Sequence, residues 1–377
     1  ISIRVLEEAP TLRKLSLWSK CSLALLHIFC AILYCMSKPL GLHRVMGAFF
    51  ISGMFTYMLV VPPFVCFLML CIIDTFIAGS YQAVMDLKMI WGPCVVAWFF
   101  TTMLNDTAPT DVEGANHRPP SNWIDRAAHR FYYWSVFDYF PITCVPWEEQ
   151  AKLPPNQQYI FALHPHGILC WPLYMFAAKG TPFDQAFPGI CGRKLSGLVA
   201  SVLFHIPFLR DFFCEWPYVD ASRRVAYKVL GAGRSIYVIP GGEEESVLTT
   251  TGEDIVVLSK RKGFIRLALA HGAWIVPVFG AGVTDTFQTY PVALGMRRMI
   301  QKQFGLVFAF YRGRFFTTLP FQRPVRVLIG KPIQTPVPAV KGKPPDEELV
   351  EEYHQRYITA LKELHAKHVK DRVLQVI

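Results

Sequence analysis

Residues 45–73 contain no aspartate, glutamate, lysine or arginine, and Pro62-Pro63 interrupts them. As one straight helix the stretch would run about 44 Å at about 1.5 Å per residue. The hydrocarbon core of a bilayer is only about 30 Å thick. Two arms meeting at the proline pair, a helical hairpin dipping into the bilayer, fit that length. A tilted, kinked single span is the alternative.

The neighbouring sequence has the same character. Residues 21–37 and 89–105 also lack formal charge. The first is marginal in length for a span, and no small-residue cleavage site follows it, so it is expected to be retained. The second is a third membrane contact or a buried helix. Residues 1–105 are therefore expected to form a membrane-embedded region, and residues 106–377 a separate charged domain. The first part holds 7 basic and 4 acidic residues, and the rest holds 31 and 24. Hydrophobic residues make up 52% of the chain and charged residues 18%, against about 25% charged in soluble domains. That excludes disorder. The net charge of +10 points to a membrane surface, anionic lipid or a phosphate-bearing substrate. Nucleic acid would leave the apolar excess unexplained, so no nucleic-acid partner is expected. The ten cysteines include no C-x-x-C pair, hence no disulfide framework or zinc signature. A reducing compartment is the expectation.

After the polar linker 105–121, short apolar runs alternate with helical ones. Residues 159–163, 235–239, 254–258, 274–279 and 325–329 read as strands, while 198–204 fits strand or helix. Ser222 opens one helix, residues 262–271 form another, and 346–368 form a long amphipathic one. The alternation predicts an α/β fold with a mostly parallel sheet flanked by helices.

Three groups of residues carry candidate chemistry. His164-Pro165-His166-Gly167 follows the first of those strands, and strand ends are where ligands meet open α/β sheets. A histidine there suits proton transfer from a hydroxyl at neutral pH. Buried hydrogen-bonded histidines are the plain alternative, and a metal site lacks further ligands of suitable spacing. Gly241-Gly242 with Glu245 follows the next strand. A carboxylate there orients an imidazole, or the segment is simply a solvated acidic turn. Arg261, Lys262 and Arg266 crowd the start of a helix beside Gly263, where basic residues oppose the helix dipole. Either an anion binds there or the residues form a solvated face. No G-x-S-x-G elbow, Walker loop or G-x-G-x-x-G fingerprint is present.

Taken together these blocks resemble the type-2 acyl-CoA:diacylglycerol acyltransferase family, which includes monoacylglycerol and wax-alcohol acyltransferases. The resemblance covers about residues 123–369. Tyr139-Phe140-Pro141, His164-Pro165-His166-Gly167, Gly241-Gly242 with Glu245, and Arg261-Lys262-Gly263-Phe264 match its blocks in order. Phe67-Leu68-Met69-Leu70 is similar to a proposed neutral-lipid motif, a weak match in an apolar segment. The His-x4-Asp pattern of broader glycerolipid acyltransferases is absent, because the fifth residue after His166 is Trp171 and after His164 is Leu169.

The resemblance implies a glycerolipid-acyltransferase-like fold and transfer of a fatty acyl group from acyl-CoA, a co-substrate, to a neutral lipid hydroxyl. Diacylglycerol is the first expectation. Monoacylglycerol, a long-chain alcohol, a sterol or a lysophospholipid are alternatives, as is an inactive lipid-binding protein. It further implies His166 as general base, His164 as support for the turn or oxyanion, and Glu245 as holder of the imidazole tautomer. Arg261, Lys262 and Arg266 would meet the coenzyme A phosphates. Pro165, Gly167, Gly241, Gly242 and Gly263 would shape the backbone. Phe67, Leu68, Leu70, Tyr139, Phe140 and Pro141 would line the acyl and lipid entrance. No bound cofactor or metal is implied. The expected setting is the endoplasmic reticulum membrane, with the lipid droplet second and the catalytic part facing the cytosol. Membrane lipids are expected partners, and a homo-oligomer is compatible with this reading.

Overall fold

A computed structural model describes residues 17–51, 122–191, 195–204, 213–214, 216–304 and 307–377. Residues 52–73 of the expected hairpin, with Phe67, Leu68 and Leu70, lie outside the described residues. Among the described residues no helix is long and apolar enough to cross a membrane. The first, α1 (Leu17–Ser37), exposes Leu25, Ile28, Phe29, Ile32 and Met36 and buries His27, Cys30 and Ala31. It packs on α2 (Trp123–His129), where His27 Nδ1 lies 2.8 Å from Asp125 Oδ1. A π-turn (Arg130–Trp134) and α3 (Ser135–Tyr139) follow.

The remainder is built on a seven-stranded sheet with helices on both faces and carries two further two-stranded sheets. In chain order it runs β1 (Ile142–Val145), β2 (Tyr159–His164), α4 (Leu173–Ala177), α5 (Pro182–Ala186), β3 (Leu195–Val199), β4 (Tyr218–Asp220), α6 (Arg223–Gly231) and β5 (Ser235–Val238). Then come α7 (Gly242–Leu248), β6 (Asp254–Val256), α8 (Gly263–His271), β7 (Trp274–Ala281), β8 (Gln288–Tyr290), α9 (Leu294–Phe304), β9 (Phe310–Arg312), β10 (Val325–Ile329), α10 (Glu347–His368) and β11 (Leu374–Val376). The sheet order is β1-β10-β7-β2-β5-β3-β4. β2, β3, β4, β5 and β7 run parallel, while β10 is antiparallel to β7. The mostly parallel α/β expectation is met. The ambiguous 198–204 run resolves into the end of β3 and a single 3-10 turn, Ser201–Phe204.

β2 is buried along its whole length, the pattern of a strand covered on both faces. Its side chains alternate between two cores: Tyr159, Phe161 and Leu163 enter one, Ile160 and Ala162 the other. The second core is closed by α8 and by the Val350–Tyr353–Tyr357–Leu361–Leu364 stripe of α10. Each such side chain contributes about 1.5–3 kcal/mol on burial. The first core takes in Cys30, Ala48 and Ile51, so part of the N-terminal region packs on the sheet domain.

Candidate active site

The end of β2 separates the two histidines: His164 is its last residue, and His166 lies beyond the strand and outside its alternation. His164 continues the β2 alternation onto the face covered by α8 and α10, 6.2 Å from the Tyr357 ring, and is fully buried. The His164–Pro165 bond is cis. Beyond it, His166 lines a cavity of about 460 Å³, within the roughly 300–1,000 Å³ of small-molecule sites.

Glu245, on α7, joins the pieces from behind. Its Oε1 accepts from His164 Nδ1 at 2.9 Å and from the Val257 N–H at 3.0 Å. Its Oε2 accepts from the His166 backbone N–H at 2.8 Å. Gly241 is required for this, because a Cβ there would collide with the Glu245 carboxylate. Gly167 is required too: its φ is +65°, and a Cβ would come within 2.7 Å of Val283 Cγ1. Gly242 also has positive φ, whereas Gly263 opens α8 with open space around it.

Sequence reasoning aimed Glu245 at the imidazole of the base. The structure instead bonds it to the His164 ring and to the His166 backbone. The His166 ring is held by Ser246, whose Oγ lies 2.5 Å from Nδ1, and by the Gly167 carbonyl, 3.0 Å from the same atom. A carbonyl only accepts, so Nδ1 carries the hydrogen and the lone pair lies on Nε2. Burial lowers the His166 pKa from its usual value; the Gly167 carbonyl and the Glu245 charge offset part of that. Ser246 was not singled out from sequence. Its only signal is its place next to Glu245 on one helical turn, where a rotation of about 100° aims neighbouring side chains at different targets.

The cavity wall is largely apolar, with Ile168, Leu169, Trp171, Tyr174, Leu203 and Phe213 among its residues. Its polar residues include His166, Ser246, Glu243 and Arg261. Burial raises the Glu243 pKa, and Arg261 opposes the shift. Cys170 also lines the cavity, and burial pushes its thiol up to about 12, which leaves it un-ionised and a poor nucleophile.

Of the three cations expected at phosphates, Arg261 alone lines the cavity, and it pairs with Glu244 at 2.9 Å. Lys262 pairs with Glu351, and Arg266 with Glu347 at 2.7 Å, both acids on α10. Tyr139 and Phe140 are buried and do not line the cavity: Tyr139 donates to the Pro320 carbonyl at 2.6 Å, and the Phe140 ring sits 4.7 Å from Trp171. Pro141 is exposed. Among the described residues no three His, Cys, Asp or Glu side chains gather closely enough to hold a metal ion.

A family model described as "Diacylglycerol acyltransferase" matches residues 94–375, three quarters of the chain, including His164, His166, Glu245, Ser246 and Arg261. The chain belongs to the diacylglycerol acyltransferase family. Human 2-acylglycerol O-acyltransferase 3 is 35% identical over 263 residues, covering 66% of this chain and 73% of that protein. Diacylglycerol O-acyltransferase 2 of Dictyostelium discoideum is 36% identical, covering 62% and 72% respectively. Diacylglycerol O-acyltransferase 2A of Umbelopsis ramanniana is 30% identical, covering 76% and 81%. As a member of this family the chain is an acyl-CoA O-acyltransferase of lipid metabolism.

Proposed function

We propose that this acyltransferase moves a fatty acyl group from acyl-CoA to the hydroxyl of diacylglycerol, giving triacylglycerol, with His166 as general base. The observation that carries this reading is an imidazole at an apolar cavity, with Nδ1 bonded and the lone pair on Nε2. Nε2 takes the hydroxyl proton as the lipid oxygen attacks the thioester carbonyl. The tetrahedral intermediate collapses, the C–S bond breaks, and the leaving thiolate takes the proton from the imidazolium. The thioester is already activated, so no covalent enzyme intermediate is needed. General base action supplies about 10²–10⁴-fold, and positioning in the cavity supplies the rest.

Arg261 meets the coenzyme A phosphates at the polar part of the cavity, with Lys262 and Arg266 behind it. Their present carboxylate partners are partly exposed. Exposed pairs are worth only about 0–1 kcal/mol, so a polyphosphate displaces them at low cost. His164 supports the turn from the buried side. Residues 1–105 embed in the endoplasmic reticulum membrane as hairpin and flanking contacts, and lipid enters from there. The catalytic part faces the cytosol, the side from which acyl-CoA reaches it. Monoacylglycerol and long-chain alcohols are the next acceptors, supported by the names of the relatives.

Incubating purified protein with labelled acyl-CoA and separate acceptors, then separating products by chromatography, tests this reading. Labelled triacylglycerol in excess of other products supports diacylglycerol. A dominant wax ester, or diacylglycerol from monoacylglycerol, transfers the assignment to that acceptor.

A further inference from the structure

Residues 286–345 contain ten lysines and arginines and no aspartate or glutamate. Their charge equals the +10 of the whole chain, so the other residues balance to zero. This stretch holds β8, α9, β9 and the turn Arg314–Phe316.

Its side chains divide sharply between inside and outside. Arg297 is buried; its guanidinium donates to the Phe308 carbonyl at 3.0 Å and to the Val247 carbonyl on α7. That anchor sets the rotation of α9. At about 100° per residue, Met299 and Lys302 lie opposite Arg297, flanked by Met296 and Arg298, and all four are exposed. Among the described residues neither Arg298 nor Lys302 is in an ion pair. The β8–β9 pair then leads to Phe315 and Phe316, which are 76% and 82% exposed. Both have φ in the left-handed region, 53° and 56°, where non-glycine residues are rare and mark functional segments. Arg314 and Arg312 sit over their rings at 5.2 and 4.5 Å. The inner side of the same segment supplies Gln301, Val307, Ala309 and Tyr311 to the cavity wall.

We propose that α9 and the Phe315–Phe316 turn dock on an anionic lipid bilayer. Met296, Met299, Phe315 and Phe316 reach the acyl boundary, and Arg298, Lys302, Arg312 and Arg314 meet headgroups. Exposed aromatics and methionines beside unbroken positive charge are the composition of an interfacial anchor. A phosphorylated cofactor would use the cations but leave the two phenylalanines in water. A second copy of this chain would set one positive surface against another. Docking here turns a wall of the cavity toward the membrane, a use that rests on the lipid-acylation reading; the docking itself does not.

The test places a benzoylphenylalanine photoprobe at Met299 or Phe316 in the full chain, in vesicles of phosphatidylcholine with 30% labelled phosphatidylserine, the fraction being on the order of a strongly anionic leaflet. A probe at exposed Glu352 on α10 is the reference. Lipid adducts at both positions, at least fivefold above the reference, are expected, with a several-fold drop in the Arg298→Glu/Lys302→Glu background. Adducts no higher than the reference, adducts of twice the chain mass, or yields indifferent to the charge reversal overturn the proposal. Acyl transfer to micellar acceptor, measured on the same samples, reports separately on the enzymatic reading. It is expected within about twofold of wild type in the charge-reversed variant.

Discussion

Ser246 Oγ lies 2.5 Å from Nδ1 of His166, on the opposite side of the ring from the nitrogen left to act on substrate. The contact sets the imidazole's rotation, while the Gly167 carbonyl sets its tautomer. One neutral hydrogen bond contributes about 0.5–1.5 kcal/mol, which corresponds to about a 2–12-fold change in rate. Ser246→Ala is expected to lower kcat by about that factor with KM for acyl-CoA unchanged, and Ser246→Thr to restore most of it. Steady-state kinetics of the two variants check this; equal losses in both would give Ser246 a packing role only.

The pH profile follows from the burial of His166. A lowered pKa keeps the imidazole neutral, and therefore basic, to lower pH than a free histidine. kcat/KM should rise with pH through that lowered value and then level off. The acid limb should have its midpoint below about 6.5, the unperturbed value. A profile of kcat/KM against pH, with thermal stability followed in parallel, reads it directly. A midpoint above 6.5 would contradict the environment described for this ring.

Glu245→Gln attacks the framework behind the base. The carboxylate accepts from three donors: His164 Nδ1, the Val257 N–H and the His166 N–H. An amide offers one acceptor oxygen and turns an NH2 group toward the remaining donors. A buried donor left unpaired costs about 1–3 kcal/mol. The variant is expected to unfold several degrees earlier and to lose most of its turnover. Calorimetry beside an activity assay checks both; an unchanged melting temperature would contradict the buried role.

Arg261→Glu reverses charge at the polar part of the cavity and leaves Glu244 without its partner. KM for acyl-CoA is expected to rise about tenfold, that for the lipid acceptor much less. Added salt should narrow the difference between variant and wild type. Equal shifts for both substrates would remove Arg261 from the phosphates.

Much of the sheet was legible because its strands are buried on both faces and read as apolar runs closed by proline or glycine. Two short pieces were not: β4, at one edge of the sheet, and β11, which pairs with β6 outside it, are three residues each, too brief for a periodic signal, and exist through pairing with β3 and β6. Both histidines were legible as a pair at a strand end. Their division of labour was not, although parity along β2 already sends His164 to the face of Ile160 and Ala162. What was missing is that β2 stops at His164, so that His166, two residues on, leaves the alternation and reaches the cavity. Ser246 had only its place beside Glu245 to mark it, since a serine after three glutamates reads as a solvated turn. The pairing of Lys262 and Arg266 with α10 was hidden because their partners lie more than 80 residues away.

The most direct measurement is turnover of labelled acyl-CoA by purified His166→Ala, its fold verified by thermal unfolding. A general base contributes about 10²–10⁴-fold, so turnover should fall by at least 100-fold while membrane association persists. A folded His166→Ala protein that transfers acyl groups at the wild-type rate would contradict the assignment.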